Sequence, residues 1–119
     1  MRILLIEDQE VRIAWFKKKF KDHTLIIAKS RQEAEEIFEM GMPYHMAFLD
    51  HDLEEINPTP DKTTSALIKQ NERVREVLNN LLDGVIIHSI NYDGAQNIKS
   101  LLPKAQVIQY HKLQVLTGG

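Results

Sequence analysis

In this 119-residue chain, three short apolar runs end in groups able to do chemistry. Ile3 to Ile6 ends in Glu7 and Asp8, and Met46 to Leu49 ends in Asp50, His51 and Asp52. Val85 to Ile87 ends in His88, Ser89 and, one residue on, Asn91. A carboxylate after an apolar run is common by itself, because Asp and Asn also cap helices and shape turns, and both Asp8 and Asn91 allow that reading. Four carboxylates converging on one rim are another matter. They repel one another and raise their own pKa values unless a cation sits among them, so a hard divalent ion such as Mg²⁺ or Mn²⁺ is the natural partner. Glu7, Asp8 and Asp50 are the candidate ligands. A histidine at a core edge is often only a hydrogen-bonded structural residue, but a pair beside a metal suits general acid and base work on a phosphoester, which makes His51 and His88 candidates. Ser89 is placed to donate to a phosphoryl oxygen, and Asn91 either does the same or caps the helix that follows. Arg12, one turn beyond Asp8, is either an anion clamp or an exposed helical arginine. Lys112 follows the last apolar run and is a candidate to reach the same crevice.

The elements that must position these groups follow from hydrophobic spacing. Five apolar runs, at Ile3 to Ile6, Leu25 to Ala28, Met46 to Leu49, Val85 to Ile87 and Val107 to Ile108, are short and aliphatic or β-branched, and read as buried strands. Between them lie helical patterns. Ile13, Phe16 and Phe20 form a stripe opposite Lys17, Lys18, Lys19 and Lys21. Ser30 and Glu33 make a capping box before Ala34, Ile37 and Phe38, and Gly41 stops that helix. A third helix is expected from Thr63 or Thr64 to about Leu82, and a fourth from Asp93 to just before Pro103. Strict alternation with short connections implies an α/β doubly wound parallel sheet covered on both faces. After the fifth strand only His111 to Gly119 remain, too little for a good closing helix. The face such a helix would cover is expected to be open, thinly covered or buried in a homodimer. In the strand order 2-1-3-4-5 the ends of strands three and four are neighbours, which would let His51 and His88 face each other. The Leu53 to Lys62 stretch, with Pro58 and Pro60, reads as a long loop beside this rim, suited to a semi-rigid flap.

Composition narrows the function classes. With 43% hydrophobic and 27% charged residues the chain reads as a single soluble domain over residues 1–119. Fifteen Lys and Arg against 17 Asp and Glu give a net charge of -2, so strong duplex binding is not expected. The absence of cysteine excludes a disulfide framework, a thiolate zinc site and a Cys nucleophile. The Met1 to Ile6 run is too short to span a membrane and is followed at once by an acidic pair, so neither a membrane segment nor a signal peptide is expected and a cytoplasmic location is the default.

The pattern resembles the receiver domain of response regulators, a flavodoxin-like fold of five strands in the order 2-1-3-4-5. Glu7 and Asp8 can be laid on its acidic pair, Asp50 on its phosphoacceptor, Ser89 on its hydroxyl residue and Lys112 on its lysine. No Pro follows Lys112 and the closing helix is not foreseen. The strings Leu49-Asp50-His51-Asp52-Leu53 and His88-Ser89-Ile90-Asn91, with Arg12 after the acidic pair, are more similar to the divergent cyclic-phosphate processing receiver domains of bacteria and phages, linked to RNA repair. That resemblance implies a metal held by Glu7, Asp8 and Asp50, with His51, Asp52 and His88 handling protons or phosphate. Glu54 and Glu55 follow the motif where a tight turn would want glycine.

The expected function is a metal-dependent phosphoesterase that opens a cyclic phosphate, either a 2',3'-cyclic RNA end or a cyclic nucleotide, in the bacterial or phage-infected cytoplasm. Two alternatives stand beside it: a stand-alone receiver phosphorylated on Asp50 that signals through a partner, and a non-catalytic nucleotide-sequestering module. Asp50 and Asp52 also form an Asp-x-Asp pair of the haloacid-dehalogenase kind, but the chain is too short after it for the rest of that fold.

Overall fold

A computed structural model describes residues 1–53 and 63–118. Residues 54–62, where the sequence places the flap and the Glu54–Glu55 departure, and Gly119 lie outside the described residues. In chain order the elements are β1 (Arg2–Ile6), α1 (Glu10–Lys19), β2 (Thr24–Ala28), α2 (Arg31–Glu39), β3 (Met46–Leu49), α3 (Thr64–Gln70), α4 (Glu72–Asn79), β4 (Val85–Ile87), α5 (Tyr92–Leu101), β5 (Gln106–Val107) and α6 (Tyr110–Leu116). The strands form one parallel sheet in the order β2-β1-β3-β4-β5.

Alternation along each strand divides the core into two. Leu4, Ile6, Ala28, Ala47, Leu49, Val85 and Ile87 face α2 to α5, where Ile37, Phe38, Leu67, Ile68, Val74, Leu78, Ala95 and Ile98 meet them. Ile3, Leu5 and Phe48 face the other way, onto Ile13 and Phe16 of α1 and Leu113 of α6. Strands buried on both faces have no polar side to expose, which is why they read as continuous apolar runs.

The capping box forms with its return bond one residue early, on Lys29 and not on Ser30. Ser30 Oγ accepts from the Glu33 N–H at 3.2 Å, Glu33 reaches back to the Lys29 N–H, and Gly41, at φ +68°, supplies the left-handed turn that ends the segment. Two expectations are corrected. The third helix is two helices, because Asn71 leaves helical geometry at φ -123° and ψ 100°, and its side chain accepts from the Val74 N–H to start α4 afresh. The closing helix is present. Seven residues are few for an isolated helix, but α6 is held by burial of Leu113 at 4% exposure and by the Trp15–Tyr110 edge contact. The face expected to be open, thinly covered or buried in a homodimer is covered by α6. Among the described residues no helix is long and apolar enough to cross a membrane.

Because α6 is so short, its docking depends on one side chain. Leu113→Ala is expected to lower the unfolding free energy by about 2–4 kcal/mol. Urea denaturation followed by circular dichroism checks this, and an unchanged midpoint would mean that α6 contributes no packing.

Candidate functional site

The sheet register builds the site. Ile6, Leu49 and Ile87 are paired across β1, β3 and β4, so the next residues, Glu7, Asp50 and His88, fall in one row at the carboxyl edge. The ladder continues into that row, with the Glu7 N–H bonded to the Ala28 carbonyl, Asp50 to Ile6 and His88 to Leu49. Alternation then turns all three side chains toward the α1 and α6 face. There Glu7 is 0% exposed, Asp50 4% and His88 0%. One donor atom from each lies within 4.8 Å of the others.

Each member is tied down. Glu7 Oε2 accepts the N–H groups of Asp8 at 3.0 Å and Gln9 at 3.2 Å, where the chain turns into α1. Glu7 Oε1 meets His88 Nε2 at 2.9 Å and Arg12 Nη1 at 3.6 Å. Arg12 Nη1 also lies 4.0 Å from Asp50 Oδ2, and the guanidinium sits 5.2 Å over the Tyr110 ring. The Ser89 hydroxyl donates to Asp50 and accepts from the Asn91 N–H at 3.1 Å. Burial pushes Glu7 up, but His88, the Gln9 N–H and Arg12 together leave it below the usual carboxylate value. Burial, with Glu7 alongside, pushes Asp50 up to about 8. Burial also lowers His88, more than Glu7 raises it. An ionised Glu7 can only accept, so a neutral His88 donates from Nε2 and keeps its lone pair on Nδ1. That nitrogen is buried without a hydrogen-bond partner among the described residues.

His51 and Asp52 form a second group. Asp50, not His51, is level with His88, so alternation sends His51 toward the opposite side of the sheet, onto α3 and α5. The two imidazoles do not meet. His51 Nδ1 lies 3.0 Å from Asp52 Oδ1, and Nε2 lies 2.9 Å from Ser65 Oγ. Asn91 Oδ1 caps α5 through the Gly94 N–H at 3.0 Å, the capping role the sequence allowed, while its Nδ2 donates to Asp52 Oδ2 at 3.3 Å. A Cβ at Gly94 would lie 2.4 Å from the His51 ring, so only glycine leaves the imidazole its place. Thr64, fully buried, bonds the Asp50 carbonyl with its hydroxyl and the His51 carbonyl with its N–H, fixing the chain just after β3.

The structure thus unites Glu7, Asp50, His88, Arg12 and Ser89, and separately His51, Asp52 and Asn91. Asp8 follows Glu7 but lies outside the group of donors within 4.8 Å. Arg12, with a side chain only 11% exposed, is held between carboxylates and is no free helical arginine. Lys112 is exposed on α6 and makes no hydrogen bond or ion pair to the rim among the described residues. Tyr110 takes the position nearest the site after β5, its N–H bonded to the His88 carbonyl. Sequence reading missed Tyr110, Ser65, Thr64 and Gly94. The signal for Gly94 was a glycine inside a helical pattern, which marks a close approach.

An α/β sheet in this order with an acidic and polar carboxyl edge is the receiver fold, and the comparisons agree. A family model described as the cyclic-phosphate processing receiver domain matches residues 2–104, and the chain belongs to that family. Among solved structures, a two-component response regulator from Clostridium difficile is similar at TM-score 0.71 and 20% identity, with 99% of this chain and 90% of that chain covered. The Mn²⁺-bound form of the response regulator Rcp1 aligns at TM-score 0.65 and 20% identity, covering 98% and 86%. A CheY-like receiver domain from Methylobacillus flagellatus aligns at 0.64 and 18%, covering 99% and 96%. At such identities the likeness is one of fold. No curated protein sequence matches the chain.

Two predictions follow from the geometry. Asp50 has a folded value of about 8 against an ordinary 3.8, so its contribution to stability is fully present below that ordinary value and is lost as pH rises toward 8. Asp50→Asn removes this loss, so in the absence of divalent ions the variant should gain melting temperature over the parent at pH 8 and not at pH 4. Equal differences at both pH values would contradict a buried, proton-holding Asp50. Gly94→Ala should displace the His51 ring and shift its imidazole NMR signals; unmoved signals would show that the ring is not confined there.

Proposed function

We propose that the chain is a metal-dependent phosphoesterase acting on a cyclic phosphate, either a 2',3'-cyclic RNA end or a cyclic nucleotide. The observation that carries this reading is the row of Glu7, Asp50 and His88, three buried donors within 4.8 Å, at the carboxyl edge of a domain from the cyclic-phosphate processing family. The donors fit a divalent ion. Two carboxylates and an imidazole suit Mg²⁺ or Mn²⁺, and the imidazole favours Mn²⁺ of the two; Nε2, the His88 nitrogen that faces Glu7, is the one that would meet the ion once its proton has moved to Nδ1. In this reading Glu7, Asp50 and His88 hold the ion, with Asp8 beside them. A receiver-fold neighbour, Rcp1, is known in a Mn²⁺-bound form. When bound, such an ion supplies positive charge to the phosphoryl oxygens.

The chain's own groups do the rest. Arg12, already between Glu7 and Asp50, adds a fixed cation for the phosphate, and the Ser89 hydroxyl supplies a hydrogen bond. The Asp52–His51 pair, joined to Asp50 at the sheet edge through Asn91 and Ser89, takes the proton of the attacking water at its exposed carboxylate end and returns it to the leaving oxygen. Asn91 holds Asp52 in place. His88, assigned to proton transfer from sequence, serves better as a ligand because it is fully buried against Glu7 and Phe16.

A stand-alone receiver is the second reading, favoured by Asp50 lying at the end of β3 with the Ser89 hydroxyl bonded to it. Lys112, exposed on α6, gives that reading no support.

Purified protein with Mn²⁺ is expected to hydrolyse 2',3'-cyclic mononucleotides or RNA bearing a cyclic phosphate end, with turnover lost to a chelator. His51→Ala should lower kcat by about 10²-fold or more, the usual worth of a general base. Phosphorus NMR of the products checks both. No turnover across the substrate panel, together with an acyl phosphate on Asp50 after treatment with a small phosphodonor, would replace this reading with the receiver. Tight binding without turnover or adduct would replace it with a sequestering module.

A further inference from the structure

We infer that the groove between α3 and α5 is a subsite for the nucleoside part of a phosphate-bearing ligand; the inference rests on the phosphoesterase reading of the rim. The groove encloses about 550 Å³ and is lined by Thr63, Ser65, Ala66, Lys69, Gln70, Asn97, Ser100 and Leu101. That volume lies within the range of small-molecule sites.

Three features set its occupant. First, the groove begins at the chemistry. Ser65 lines it and is bonded to His51 Nε2 at 2.9 Å, so the rim end of the groove lies one hydrogen bond from the His51–Asp52 pair. Second, helical spacing gives the groove direction. Ser65 with Lys69 and Ala66 with Gln70 are i, i+4 pairs on α3, while Asn97 with Ser100 and Leu101 line one face of α5. From Ser65 to Gln70 is about 8 Å at the helical rise, leading away from the rim. Third, its chemistry differs from that of the rim. Among the described residues none of the eight that line it is acidic and Lys69 is the one cation, while Gln70 and Asn97 each present a donor and an acceptor. Paired donors and acceptors of that kind match the edge of a nucleobase, Ala66 and Leu101 offer apolar contact to its face, and the hydroxyls of Ser65 and Ser100 suit a ribose. A neutral, hydrogen-bonding body with an anionic end is the ligand these surfaces complement together. Base and ribose are then laid out from Gln70 toward Ser65, with the phosphate beyond them at the rim.

Lys69, Gln70, Asn97 and Ser100 are exposed, so substitutions there leave the core intact. The test is an NMR titration of the full ¹⁵N-labelled chain with a 2',3'-cyclic nucleoside monophosphate, alongside inorganic phosphate as the base-free probe. The nucleotide is expected to move the amide signals of Ala66, Lys69, Asn97 and Ser100, and phosphate to leave them unmoved. Asn97→Leu and Lys69→Ala should each weaken nucleotide binding about tenfold, and in turnover raise KM while leaving kcat nearly unchanged. Nucleotide shifts confined to rim amides such as Asp8 and Ser89, or unchanged affinity in both variants, would overturn the subsite. Absence of any shift would overturn it as well. Hydrolysis is followed in the same samples with Mg²⁺ present, and in parallel unlabelled samples with Mn²⁺, which separates the two readings. Groove shifts without turnover sustain the subsite and remove the phosphoesterase, while turnover with unmoved groove signals does the reverse.

Discussion

The burial of two carboxylates and an imidazole in one row at the end of a parallel sheet is the constraint on which the rest of the site depends. Charges taken out of water at this depth cost several kcal/mol each unless they are paired or solvated by fixed dipoles. Each neighbour answers part of that cost. The N–H groups of Asp8 and Gln9 solvate Glu7, the Arg12 guanidinium lies between the two carboxylates, and His88 donates to one of them. What remains unmet is visible in Asp50, held up to about 8 by burial and by Glu7 alongside. A further positive charge placed between the two carboxylates would offset that cost.

The same row explains the small helix at the end of the chain. Arg12 is held in place from above by Tyr110, the first residue of α6, and Tyr110 packs edge-on against Trp15. Packing and electrostatics are therefore coupled across this face. Leu113 docks α6 on the sheet, α6 presents Tyr110, and Tyr110 confines the cation that offsets Glu7 and Asp50. On the other face, His51 is confined by Gly94, Ser65 and Asp52, so one strand end serves two environments, joined at the edge by Ser89 and Asn91.

The strands, their order and the acidic edge were legible because buried parallel strands leave an uninterrupted apolar signal and chemistry collects where they end. Glu7, Asp50, His88 and Ser89 were found in that way. Pairing phase was not legible. Reading His51 and His88 as partners needed only adjacent strands, but the register places Asp50 level with His88, and one residue of phase sends an imidazole to the other face. The break at Asn71 was missed because Leu67, Ile68, Val74 and Leu78 keep one continuous apolar stripe across it. The closing helix was missed because length alone argues against seven residues, whereas tertiary contacts of Leu113 and Tyr110 supply what length does not. Arg12 could be read either way from sequence, since only the fold shows which way a helical arginine points.

The central claim is that Glu7, Asp50 and His88 form one metal centre, and paramagnetic broadening of the unmodified protein by Mn²⁺ tests it most directly. At substoichiometric Mn²⁺ the account predicts loss of amide signals next to those residues, at Asp8, Leu49, Asp50 and Ser89, with the rest of the spectrum retained. Broadening centred on the exposed acidic surface of α2, around Glu35 and Glu36, or spread evenly over the chain, would contradict it.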